Sequence, residues 1–318
     1  MSIKFKIRTD LAVEVKESFP GFGGEIEGVS LDEIYLKKED IKVTKVEILN
    51  EHGAELMHKP IGSYITLEAP KMSESDEGYH QEISKVLSKY VQELLPKKEQ
   101  LKILVAGLGN ADATPDSLGP RVIQNLQMTR HLFLLYGDKA EKEWNLTNIS
   151  GIIPGVMAQT GMESVEIIKG VTEQTKPDVI VAIDALAAMN IGRLGTTIQL
   201  SDTGIQPGSG VGNHRNSLTQ DSLGVPVIAL GVPTVVGTVT IVQNTIDTMV
   251  KVLMNNSATK TTGEFIEKST PEEQYQLIQE LLEKQFGPVY VTPKDIDETV
   301  KRISYTISEG LHLAFQTK

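Results

Sequence analysis

Leu101–Pro120 reads LKILVAGLGNADATPDSLGP. Ile103–Val105 is a short, wholly apolar run, as expected of a strand covered on both faces. A glycine-rich turn, Gly107-Leu-Gly109-Asn110, breaks it, and a helix-like segment follows from about Leu118, with Pro120 tolerable in its first turn. Strand, glycine turn and helix in that order open a βαβ unit. Between turn and helix stands Asp116. In open α/β sheets the carboxyl ends of strands border the cleft where ligands collect, so this carboxylate stands where chemistry is expected. Val179–Ile183 repeats the arrangement and ends in Asp184. Two strand-end aspartates on one sheet invite an acid/base reading, because mutual repulsion separates the pKa values of paired carboxylates.

The rhythm continues outward. Thr196–Leu200 and Val225–Leu230 read as further strands, Met162–Val171 and Thr234–Met254 as helices, and Ala185–Ile191 as helical or turn-like. On the N-terminal side, Val43–Leu49 and Gly62–Glu68 alternate as antiparallel strands do, and His80–Leu95 has helical spacing ended by Pro96. Residues 1–20 read as extended and irregular. At the other end, Asn255–Gly263 reads as a linker or surface loop. Thr270 is expected to cap a helix over Pro271–Gln285, and Thr292-Pro293 to start the last one. The fold class expected is α/β: a twisted, mostly parallel sheet flanked by helices, with an added antiparallel β portion.

The chain has 318 residues, 40% hydrophobic and 23% charged, which fits a globular protein with a large core. Its net charge of −11 argues against direct nucleic-acid binding and against attraction to acidic membranes. Without cysteine it has no thiol nucleophile, disulfide or Cys-ligated zinc, and it fits a cytoplasmic location. The N-terminus lacks the unbroken apolar region of a signal peptide, and no run reaches the roughly 18 apolar residues of a membrane helix.

Other residues are weighed against structural roles. Asp116 and Asp184 could each cap a helix instead of doing chemistry. The stretch Asp202–Asn213 is dense in glycine, and Gly208, Gly210, Gly212 and Asn213 could form a substrate-binding or oxyanion-type loop or merely a long surface turn. It lacks the Gly-Lys-Ser/Thr ending of a phosphate loop, and Gly107-Leu-Gly109 lacks the third glycine of a dinucleotide turn. His131 reads as a cation capping a helix C-terminus. His214, beside the glycine loop, is the one histidine kept as a possible site member. No HExxH pair and no Gly-x-Ser-x-Gly is present.

These stretches carry a resemblance. Arg8–Glu14, Gly107–Asn110 with Thr114–Pro120, Thr129–Leu132, Ile153–Met157, Ala182–Ala188, Ile198–Asn213 and Val225–Val236 resemble the germination protease of spore-forming bacteria. That family degrades small acid-soluble spore proteins and is regarded as an atypical aspartic peptidase. The resemblance implies a fold similar to hydrogenase-maturation proteases and a homotetramer in the spore core, made as an inactive precursor. It implies no cofactor and no metal, and it makes Asp116 and Asp184 the catalytic pair. The precursor's cut would fall at Asp10–Leu11, inside Arg-Thr-Asp-Leu-Ala-Val-Glu, so residues 1–10 would be a propeptide held as a product mimic. Residues 11–318 would be one peptidase domain: a β-rich portion at 11–70, a catalytic core at 101–254 and a helical portion at 255–318. Two departures stand out: Gly237-Thr238 where the family usually has Asp-Ala, and His214-Arg215 where it has Lys-Arg. The alternatives are a metal-dependent maturation-type peptidase, with the two aspartates as ligands, and an inactive spore-protein binding module.

Overall fold

In the computed structural model, which describes residues 9–17, 26–137, 139–208, 216–255 and 271–316, nine strands form one sheet. They are β1 (Val29–Leu36), β2 (Ile41–Ile48), β3 (Gly62–Glu68), β4 (Lys102–Gly107), β5 (Asn148–Ile152), β6 (Val179–Ala188), β7 (Thr197–Ser201), β8 (Val227–Gly237) and β9 (Tyr290–Val291). Their order is β1-β2-β3-β7-β8-β6-β4-β5, with β9 beside the end of β8. β8, β6, β4 and β5 run parallel. β1, β2, β3 and β7 extend that core as an antiparallel portion of the same sheet. The α/β reading, with a parallel core and an antiparallel addition, is the fold observed.

The apolar runs explain themselves once the pleat is applied, since successive side chains point to opposite faces. Ile103, Val105, Val181 and Ile183 meet one helical layer, which includes Ile83 and Leu87 of the Glu77–Leu94 helix and Ile307 and Leu311 of the Ile296–Phe315 helix. Leu104, Ala106, Ile180 and Ala182 face the other way, onto Ile168 of the Ser164–Thr175 helix and Leu218. Each such valine, leucine or isoleucine, buried fully, contributes about 1.5–3 kcal/mol of transfer free energy. That is why both faces of β4 and β6 read as continuous apolar sequence.

Five local expectations are corrected. Thr234–Gly237 is strand and not helix, because β8 runs on beside β6 to Gly237 and the helix starts only at Thr238. Ala185–Ala188 is not helical: β6 runs on to Ala188 because β8 stays beside it, pairing Asp184 with Gly231 and Ala188 with Val236. Residues 12–17 are not extended but helical, as Ala12–Glu17, with Leu11, Ala12 and Val15 buried. His131 lies in the first turn of the Arg130–Tyr136 helix, the end opposite to the one its capping reading requires. The last helix begins at Ile296 with Asp295 at the cap, and Thr292 instead donates its hydroxyl to the Thr234 carbonyl at 2.8 Å. The expected cap Thr270 and the segment 256–263 lie outside the described residues.

Candidate active site

β4 stops at Gly107, opposite Ile183, and the Leu108 N–H donates to the Ile183 carbonyl at 2.8 Å. Asp184 is therefore the first residue of β6 past its β4 partner, and a cleft opens there. The residue is 5% exposed, and its carboxylate accepts the Ala185 N–H at 2.9 Å. Sitting within a strand, it caps no helix.

The glycine turn delivers the second carboxylate. Asp116 ends a single 3-10 turn, Thr114–Asp116, and its Oδ2 accepts the Asn110 N–H at 2.7 Å. Thr234 of β8 donates its hydroxyl to the Pro115 carbonyl at 2.7 Å and pins the turn over the sheet. The cap position of the following helix (Leu118–Asn125) is Ser117, so Asp116 has no capping role. Gly119 lets the helix start sit on the strand ends: a Cβ there would lie 2.5 Å from the Ile183 carbonyl oxygen and from Leu108 N and O. Asp116 and Asp184 thus line one cleft of about 350 Å³, with Gly109, Pro207, Gly208 and Tyr290 in its walls. Among the described residues, no group of three His, Asp or Glu side chains is placed to hold a metal ion.

A third aspartate enters the same cleft. Asp10 lies against the stretch of β6 that β4 leaves uncovered: its N–H donates to the Ala187 carbonyl at 3.0 Å, and its Oδ2 accepts the Ala187 N–H at 2.8 Å. The residues after it are packed in. Leu11 sits in a cluster with Leu186, Ala188, Leu194 and Val236, and Ala12 in one with Val46 and Tyr64. Glu14, 2% exposed, accepts the N–H groups of Met189 and Asn190 at 2.7 and 2.9 Å and the Thr9 hydroxyl. Arg193, also buried, has its Nη1 3.5 Å from Glu14 and is shared with Glu17 and Glu68 at 2.7 and 3.0 Å.

Burial raises the Glu14 pKa above its ordinary 4.5, outweighing the two N–H groups, the Thr9 hydroxyl and the Arg193 charge that oppose it. The guanidinium cannot reverse the shift because Glu17 and Glu68 lie closer to it. The sign of the pH dependence follows. A carboxyl raised on docking favours the docked state fully below pH 4.5, and that contribution is lost as pH rises through the raised value. Amide exchange of residues 10–17 will therefore be slower in mild acid than at neutral pH, and Glu14→Gln will flatten the dependence. Exchange that slows with rising pH, after correction for intrinsic rates, would contradict this.

Of the residues singled out from sequence, Asp10, Asp116, Asp184 and Gly208 come together, and Leu11 follows buried. Gly210, Gly212, Asn213 and His214 lie outside the described residues. Gly237 ends β8 opposite Tyr290, and a Cβ there would meet only ordinary contacts at 3.7–3.8 Å, so nothing in the packing demands glycine. Sequence reasoning passed over Lys59, Gln199 and Arg193, all of which hold the Thr9–Glu17 segment. Gln199 alone left a signal, as a polar residue between Ile198 and Leu200 in a buried strand. The germination protease family model matches residues 9–264. The chain belongs to the germination protease family. Named members include the germination protease of Caldanaerobacter subterraneus subsp. tengcongensis, 46% identical over 99% of this chain and 96% of that one. Those of Clostridium tetani and Bacillus subtilis are 44% and 39% identical, covering 98% and 99% of this chain and 95% of each relative. Membership makes the chain a peptidase. Among solved structures, the [NiFe] hydrogenase maturation protease HycI from Thermococcus kodakarensis KOD1 aligns with 46% of this chain and 80% of its own length, at 20% identity and a TM-score of 0.28.

Proposed function

We propose that the chain is an endopeptidase using Asp116 and Asp184 as an acid/base pair. It cuts itself after Asp10 and then cuts small acid-soluble spore proteins at sites of the same pattern, working as a homotetramer in the spore core. The observation that carries this reading is the meeting of Asp10 with Asp116 and Asp184 in one cleft. One carboxylate takes a proton from water as the water oxygen attacks the Asp10 carbonyl carbon. The other, protonated, gives its proton to the leaving nitrogen of Leu11. Two carboxylates lining one cleft divide these roles because ionising the first opposes ionising the second. General acid and base assistance of this kind accounts for about 10²–10⁴-fold each.

Latency has a physical basis in the same geometry. The segment that holds Asp10 in place fills the side of the cleft that a substrate's residues after the cut would occupy. Cutting the Asp10–Leu11 bond does not by itself empty that side, so Leu11–Glu17 must leave before a second peptide enters. The buried apolar side chains of Leu11, Ala12 and Val15 oppose that release. Incubating the purified chain in mild acid and sequencing the new N-terminus will give Leu-Ala-Val-Glu. A different new terminus, or none, would overturn the self-processing reading.

A further inference from the structure

The carbonyl oxygen of Asp10 is gripped by two side chains from different parts of the fold. Lys59, just past the Glu51–Met57 helix, donates its ammonium at 2.9 Å, and Gln199 of β7 donates Nε2 at 2.9 Å. The Gln199 amide is fixed in orientation, because its Oε1 accepts the Ala12 N–H at 2.6 Å. One side chain therefore straddles the Asp10–Leu11 bond, holding the carbonyl before it and the N–H beyond it. Gln199 is 9% exposed between Ile198 and Leu200, where a polar side chain requires partners, and the segment supplies them. Lys59 also lies 5.7 Å from the Tyr64 ring centroid, which steadies the ammonium.

We propose that Lys59 and Gln199 form the oxyanion-stabilising site of this peptidase. The inference rests on the reading that Asp10–Leu11 is the bond cut. Attack by water turns the Asp10 C=O into C–O⁻, and the charge develops on the atom that both side chains already address. Donors aimed at that oxygen stabilise the transition state more than the ground state, and a charged donor more than a neutral one. When the intermediate collapses, the C=O re-forms, the C–N bond breaks, and the Leu11 nitrogen leaves with the proton from the acid of the pair. The water oxygen stays on the new Asp10 carboxyl. The same two side chains would receive the carbonyl of a second peptide once Thr9–Glu17 has left. They take the role that the sequence reading gave to the Gly208–Gly212 loop.

The test uses the self-processed enzyme, each variant incubated until its own cut after Asp10 is complete, with a peptide carrying Asp-Leu-Ala-Val-Glu and the corresponding phosphinate, which mimics the tetrahedral intermediate. Lys59→Met and Gln199→Leu are expected to lower kcat about 10²–10³-fold with little change in KM, and Lys59→Arg to recover part of the loss. Phosphinate affinity should fall in step with kcat/KM. Gln199→Glu, which keeps the shape and replaces the donor with a second acceptor, guards against misfolding of the Leu variant and should be the slowest. Retention of kcat within about threefold, or equal losses in substrate and phosphinate binding, would overturn the proposal. The dyad fails separately: if Asp116→Asn and Asp184→Asn still cleave while Lys59→Met does not, the acid pair is wrong and the oxyanion site stands.

Discussion

Asp116→Asn and Asp184→Asn will each lower the rate of self-cleavage by about 10²–10⁴-fold, and the double variant will be little worse than either single one. The expectation rests on what asparagine keeps and what it removes. It has the shape of aspartate, and its one side-chain oxygen can still accept the Asn110 N–H at residue 116 or the Ala185 N–H at residue 184. The local fold is therefore retained. What disappears is the ability to take up and release a proton. Asp184 is 5% exposed, and asparagine places no charge in that buried position, so its variant should melt no lower than the parent chain. Acid and base act on one tetrahedral intermediate, which is why their losses do not add. Mass spectrometry of the intact chain after incubation reads the outcome directly. Cleavage at parental rates by both variants would sink the acid-pair mechanism, and a melting temperature several degrees lower would show that the carboxylates serve the fold.

The parts of this fold that local sequence dictates were readable. Val179–Ile183 and Ile103–Val105 are apolar on every residue because helices cover both faces, and no other common element requires that over so short a run. The turn at Gly107–Asn110 and the two aspartates followed from position on those strands. What sequence could not show is where long-range pairing overrides local preference. Ala185-Leu-Ala-Ala has a helical composition, yet β8 beside it carries the strand on to Ala188. Asp184 therefore stands where one neighbour ends and not where the strand ends. The distinction matters, because the uncovered stretch of β6 beyond it is what Asp10 pairs with. Lys59 left no trace in the pattern at all. It is separated by 49 residues from the carbonyl it holds, and only the packing of the Glu51–Met57 helix against the sheet brings it there.

Gly109→Ala will cost both stability and activity, and the comparison with Gly161→Ala separates the two causes. Gly109 has φ +104, and a Cβ added there would lie 2.0 Å from the Asp116 carbonyl oxygen and 3.0 Å from its carboxylate. The backbone conformation alone costs a non-glycine residue about 1–3 kcal/mol. The overlap is with main chain, not with the end of a flexible side chain, so rotamer changes cannot relieve it, and overpacking of this kind adds about 1–3 kcal/mol. Relief requires the Thr114–Asp116 turn to move by about an ångström, and misplacement of that size costs on the order of 10²-fold in rate. Gly161, at φ 72 and ψ 4 after the Met157–Thr160 helix, has nothing within 4 Å of its would-be Cβ. Alanine there pays only the left-handed backbone term, about 1–2 kcal/mol, and should process itself at the parental rate. Melting temperature and cleavage rate, measured together on the two variants, check the pair. A Gly109→Ala chain that is destabilised yet fully active would mean that the glycine turn does not set the position of Asp116, and the reading of Leu101–Pro120 as the segment that places the carboxylate would have to be given up.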